Sequence, residues 1–158
     1  MLSTLEKLKA QQGQLMRDAV GDPKAKNYLA VVRVVVGELE GMPSRQSKPR
    51  QPTDEDAWAF MRKVYLGNKG TLELMKIQGR DDLITETKLK DEIELLAQYV
   101  GHPLTPELLK TMAGAQADQL KAAKNDDMAV GLVIKELRKT DEFYDSEDVR
   151  RAVREIRA

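Results

Sequence analysis

The segment Val31-Val32-Arg33-Val34-Val35-Val36 decides whether this chain builds a β-sheet or a helical fold. Valine is a favoured strand residue, so five valines in six positions are compatible with a buried strand. Placed at 100° per residue, however, the apolar residues from Tyr28 to Leu39 fall on one broad arc, and only Val34 lies outside it. The segment therefore predicts an amphipathic helix over about residues 23–40.

The stretches on either side of this segment also have a helical period. Residues 3–20 predict a first amphipathic helix, and Gly21-Asp22-Pro23 predicts a turn in which Asp22 caps the next helix. Thr53 opens a third helix with a capping-box pattern. The glycines of residues 67–70 are compatible with one long helix to Gln78 or with two helices that meet at a kink, and we favour the long helix. Asp81 is the expected cap of a fourth helix that reaches about Tyr99.

The sharpest boundary in the sequence is the segment 101–106, which holds one glycine and two prolines. Beyond it the predicted helices become short, over about 106–116, 127–139 and 147–157. These patterns predict an all-α, two-domain fold. Residues 1–100 form an N-terminal four-helix domain of helical hairpins with a basic, proline-rich loop at 41–52, and residues 101–158 form a small C-terminal three-helix domain.

Composition removes several classes of protein. The 158 residues contain 26 basic and 26 acidic side chains, one histidine and no cysteine, which excludes a disulfide framework and a cysteine-based metal site. We find no apolar run long enough to span a bilayer and no signal-peptide pattern at the start of the chain, so we expect a cytoplasmic protein without a membrane partner.

No pattern of reactive residues is present. His102 is the only histidine, phosphate-binding glycine motifs are absent, and most of the acidic clusters stand at predicted helix starts, where caps are expected. We therefore expect no catalytic residue, no metal and no cofactor, and an enzyme that acts on its own is not indicated.

Basic residues concentrate in two places. The loop 41–52 carries three cations and no acid, and the last predicted helix carries four arginines, with two lysines preceding the helix before it. A solvated connection explains the first group and the helix dipole explains the second, but both groups also suit phosphate contacts. The candidate phosphate-binding residues are Arg45, Lys48, Arg50, Lys121, Lys124, Arg150, Arg151 and Arg154.

A different hypothesis gives the protein no role with nucleic acid. Phe143 and Tyr144 lie in the acidic segment 140–145 and would be exposed anchors for a protein partner. On this hypothesis the chain is a protein–protein interaction adaptor.

The order of helices and several short motifs resemble the GatB/YqeY family, the YqeY-like free-standing relatives of the tail of the GatB subunit of tRNA-dependent amidotransferases. The resemblance rests on the segments Gly79-Arg80-Asp81-Asp82-Leu83, Leu95-Leu96-Ala97-Gln98-Tyr99-Val100, Pro103-Leu104-Thr105-Pro106-Glu107-Leu108-Leu109 and Asp126-Asp127-Met128-Ala129.

This resemblance implies an all-α protein of two parts that binds tRNA or another structured RNA without catalysing a reaction. The family is catalogued under carbon–nitrogen ligase activity with glutamine as amido-N-donor, and none of its catalytic residues carries over to this chain. The chain departs from the family at residues 140–145, where an acidic and aromatic segment replaces a basic, glycine-rich loop.

Overall fold

The computed structural model describes residues 2–45, 47 and 50–158. Within these ranges the chain forms eight helices and no strand, which confirms the all-α prediction. The helices are α1 Thr4–Asp18, α2 Pro23–Arg45, α3 Asp54–Ile77, α4 Leu83–Val100, α5 Pro106–Gly114, α6 Ala117–Ala122, α7 Asp126–Lys139 and α8 Ser146–Arg157. They pack into two compact units, Met1–Gly101 and His102–Ala158.

The valine segment is helical, as its periodicity predicts. Val34 is 55% exposed, whereas Val31, Val32, Val35 and Val36 are buried. The valines therefore supply the central apolar face of the first unit. In this unit α1 packs on α2, and α4 packs on both α2 and α3.

Local capping fixes where the helices of the first unit begin. Ser3 and Thr53 each form a capping box, and the Asp22 carboxylate accepts a hydrogen bond from the Lys24 amide. The expected cap of α4 is wrong by one residue. Asp82, and not Asp81, accepts hydrogen bonds from both the amide and the hydroxyl of Thr85.

The predicted loop at 41–52 is a second correction, because α2 continues through Pro43 to Arg45. Polar contacts close its last turns. The Ser44 hydroxyl donates to the carbonyl oxygen of Gly41, and the Arg45 guanidinium donates to the backbone oxygen of Glu38. Pro43 lacks an amide proton, and a proline by itself predicts that the helix has already ended. The two side-chain hydrogen bonds stabilise the last turns in spite of it.

The third helix is continuous across residues 67–70, as predicted. Two side-chain amides, one on α3 and one on α2, donate hydrogen bonds to carboxylates of α4. The Asn68 amide donates to the Glu92 carboxylate at 2.8 Å, and the Asn27 amide of α2 donates to Asp91 at 2.9 Å. None of the helices described here is both long and apolar enough to cross a membrane.

The second unit contains four helices among the described residues, one more than the three predicted. The single predicted helix from Pro106 is two helices, because α5 ends at Gly114 and the short α6 begins at Ala117. Each of α5, α6 and α7 contacts α8, which is therefore the central element. The core of this unit includes Leu109, Ala113, Leu120, Ala129, Val130, Val133, Leu137, Val149, Ala152 and Val153.

The half-buried carboxyl of Glu92 makes stability depend on pH. Partial burial raises the pKa of Glu92 above its ordinary value, so its ionised form costs stability once the pH rises through the folded-state pKa. Replacement Glu92→Gln keeps an oxygen for Asn68 and removes the charge. We expect this variant to be more stable than the parent at about pH 7, with the difference shrinking toward about pH 4.

Urea unfolding at both pH values measures the effect, and Glu94→Gln is the matched control on the same helix. Hydrogen bonds from Lys24 and Tyr28 lower the pKa of Glu94, so its ionised form adds stability at neutral pH that acidification removes. The control should therefore be less stable than the parent at about pH 7. A Glu92→Gln protein that loses stability at neutral pH would contradict the assignment.

Candidate nucleic-acid interface

The cationic face of the second unit is built on α8. One side of this helix buries Val149, Ala152 and Val153 in the core, which turns the arginines of the helix toward its flank and outer surface. Arg150, Arg154 and Arg157 stand at positions i, i+4 and i+7, so they form one row along the helix.

Arg157 at the end of this row joins three helices. Its side chain is 19% exposed and its Nε lies 2.7 Å from the Asp126 carboxylate at the start of α7. The same guanidinium donates to the backbone oxygens of Leu120 and Ala123 at the end of α6. Arg157 thus fixes the α6–α7 turn against the last turn of α8.

The other end of the row is neutralised in a similar way. The Arg150 guanidinium pairs with Asp127 at 2.9 Å. Arg151 points elsewhere on the helix and lies 3.8 Å from the Asp148 carboxylate, a loose contact for a side chain that is 69% exposed. Arg154, between Arg150 and Arg157, is exposed and makes no ion pair in the residues that the structure describes.

Arg154 lies at a cleft between α8 and the start of α7. The cleft has a volume of about 300 Å³ and is lined by Asn125, Asp126, Asp127, Val130, Arg150 and Arg154. Arg150 pairs with Asp127 and Arg157 pairs with Asp126, so the negative charges of both carboxylates in the cleft are balanced by arginines.

Two lysines extend this cationic surface. Lys121 lies on α6 and Lys124 lies in the turn before Asn125, and both are exposed. Neither has a hydrogen-bond or ion-pair partner within the described ranges. Arg154 and Asn125 line the same cleft, so the backbone of Lys124 adjoins the cleft, and Lys121 precedes Lys124 by three residues.

The predicted cations of the first unit are not available in the same way. Arg45 lies in α2, with its guanidinium 3.0 Å from the Glu38 carboxylate. Arg50 forms a two-pronged pair with Asp56, at 2.6 and 3.0 Å, which together with the Thr53 amide holds the pKa of the Asp56 carboxyl well below its usual range. Lys48 lies outside the described residues.

The aromatic anchors of the adaptor hypothesis are corrected by the structure. Phe143 is 6% exposed, and its backbone oxygen accepts a hydrogen bond from the Leu104 amide. Tyr144 is partly buried and packs against the core of the second unit. An acidic segment suggests exposure, but Phe143 is buried and Tyr144 is partly buried.

Acidic side chains occur in short runs along the sequence, and the chain has a single histidine. No group of three or more that could hold a metal ion occurs among the described residues. Most of the predicted acidic clusters cap helices or pair with cations, as Asp54 shows by accepting a hydrogen bond from the Thr4 amide at 2.7 Å. Neither a known protein family nor a curated protein matches the chain.

The sequence does not show that Arg157 forms contacts within the protein and is not an exposed cation. All four arginines of the last helix are chemically alike, and the acids that select among them lie more than 20 residues away along the chain. Helical spacing places Arg157 in the row with Arg150 and Arg154, but it does not specify which of the three is bound internally.

This difference predicts unequal stability effects for two arginines of the same row. Arg157→Ala removes hydrogen bonds from two backbone oxygens and an ion pair, and it should lower the free energy of unfolding by about 1–3 kcal/mol. Arg154→Ala, which removes no such contact, should change it by less than about 0.5 kcal/mol. Thermal and urea unfolding of the two variants measures both values, and equal losses would contradict the division of roles.

Proposed function

We propose that this protein is a non-catalytic accessory module of the GatB/YqeY type that binds tRNA or another structured RNA in the cytoplasm. The observation that carries the proposal is the grouping of Arg154, Lys121 and Lys124 on one region of the second unit without acidic partners. A cation without an acidic partner can bind an RNA phosphate in place of water, and no internal ion pair has to break first.

The geometry supports phosphate contacts more than base recognition. Lys121 and Arg154 stand on packed helices and Lys124 stands in the turn before α7, and neither aromatic ring described in the second unit, Phe143 or Tyr144, is fully exposed. Phosphate contacts position an RNA and add affinity, but they do not select a base sequence. Any preference for an RNA sequence or shape would require other contacts. Arg150 and Arg151 line the same helix as secondary contacts, since each has an acid within 4 Å.

Binding of labelled tRNA at low salt tests the proposal. The triple variant Lys121→Ala, Lys124→Ala, Arg154→Ala should weaken the affinity by at least about tenfold, because three phosphate contacts are lost. Unfolding of the triple variant checks that the second unit is intact.

The matched control is the double variant Arg45→Ala, Arg50→Ala, which removes two predicted cations that are paired with Glu38 and Asp56. We expect its affinity to remain within about twofold of the parent. The proposal fails if tRNA does not bind at low salt, or if the control weakens binding as much as the triple variant does.

A further inference from the structure

The side of α3 that faces away from the core of the first unit carries a second, unpartnered seam. Its members are Lys63, Gly67, Gly70, Leu74 and Ile77, and all five are exposed. They alternate at spacings of four and three residues, which is the spacing of a helix seam that packs against another helix. We call these five residues the α3 seam.

The apolar end of the α3 seam is not explained by packing within the chain. Leu74 is 51% exposed and Ile77 is 82% exposed, whereas Met61, Tyr65 and Met75 on the opposite side of the same helix are buried. The last turns of α3 are therefore apolar on two sides, and among the described residues only one of these sides is covered.

The two glycines of the α3 seam are equally unexplained. Both lie inside a continuous helix, and an added Cβ at either position would meet nothing within 4 Å. A glycine costs a helix interior about 1 kcal/mol relative to alanine. A pair of them on one exposed face is useful where another backbone approaches closely.

One charge within the α3 seam, that of Lys63, and one beside it, that of Glu73, indicate which partner approaches. Lys63 and Glu73 are exposed, and neither makes an ion pair or side-chain hydrogen bond in the described part of the chain. When a second α3 runs antiparallel with Gly67 opposite Gly70, Lys63 faces Leu74 of the other copy and stands next to its Glu73. The two-fold symmetry then forms this ion pair twice, so the surface is complementary to itself.

We propose that the protein self-associates through antiparallel contact of two α3 seams, with the glycines at the crossing and Lys63–Glu73 pairs on both sides. At the ends of the crossing, Ile77 of one copy lies opposite Phe60 of the other. One helix face buries less area than a permanent dimer requires, so the association is reversible and concentration-dependent.

Sedimentation of the full chain from about 1 µM to about 1 mM tests this association. The parent should shift from the monomer mass of 17.8 kDa toward a dimer over this range. Gly70→Gln should weaken the dimer by at least about tenfold, because the new side chain separates the backbones at the crossing. Gly37→Gln is the matched control, since Gly37 is an exposed glycine of α2 with open space around it, and it should leave association unchanged.

A charge exchange identifies the occupant as a second copy. Lys63→Glu and Glu73→Lys should each weaken the dimer roughly fivefold, and the double variant should restore it because both pairs form again with reversed sign. Circular dichroism checks that the helix content of each variant is retained.

Three results would overturn the proposal. One is a chain that keeps the monomer mass up to about 1 mM. Another is a dimer that tolerates Gly70→Gln, because association would then use a different surface. The last is weakening by each single charge change without rescue by the double variant, which would show that Lys63 and Glu73 do not pair across the dimer.

Discussion

The ion pair and hydrogen bonds of the Arg157 guanidinium are the constraint on which the second unit depends. A single planar group with several donors binds the carboxylate that opens α7 and two backbone oxygens that end α6. These oxygens belong to the end and the C-cap of a helix of only six residues, whose Leu120 side chain is also buried in the core. The Arg157 contact and the burial of Leu120 together position the α6–α7 turn, which contains Lys124.

The same constraint determines which cations remain available. Asp126 and Asp127 would compete for any arginine near the cleft, but Arg157 and Arg150 satisfy them at 2.7 and 2.9 Å. Arg154 is left between two neutralised neighbours. On the other flank of α8, Glu155 pairs with Lys110 at 2.6 Å, which raises the pKa of that lysine and balances the remaining acid of the last turn.

Helical periodicity and capping rules predicted the elements that depend on local sequence. These rules correctly predicted the helical valine segment, the capping box at Thr53 and the continuity of α3. The continuation of α2 through Pro43 depends on side chains bonding back to the helix, which composition does not reveal. Which arginines form ion pairs, and whether Phe143 is buried, depends on residues far apart in sequence. The sequence therefore places the candidate site on the last helix but does not show which of its arginines remain unpaired.

The proposed RNA binding and the proposed self-association involve different units and different kinds of interaction. The cationic face of α8 offers charges without partners, whereas the α3 seam offers an apolar, glycine-containing surface. A dimer formed through α3 carries two cationic faces on one particle. A structured RNA that reaches both gains affinity through effective concentration and needs no additional contact.

The salt dependence of tRNA affinity tests most directly whether unpaired cations of the second unit bind phosphate. With three phosphate contacts, the logarithm of the association constant should fall with the logarithm of the salt concentration at a slope of about −2 to −3. In Arg154→Gln the slope should become shallower by about one. A slope near zero, or a slope that this substitution leaves unchanged, would contradict the role assigned to these side chains.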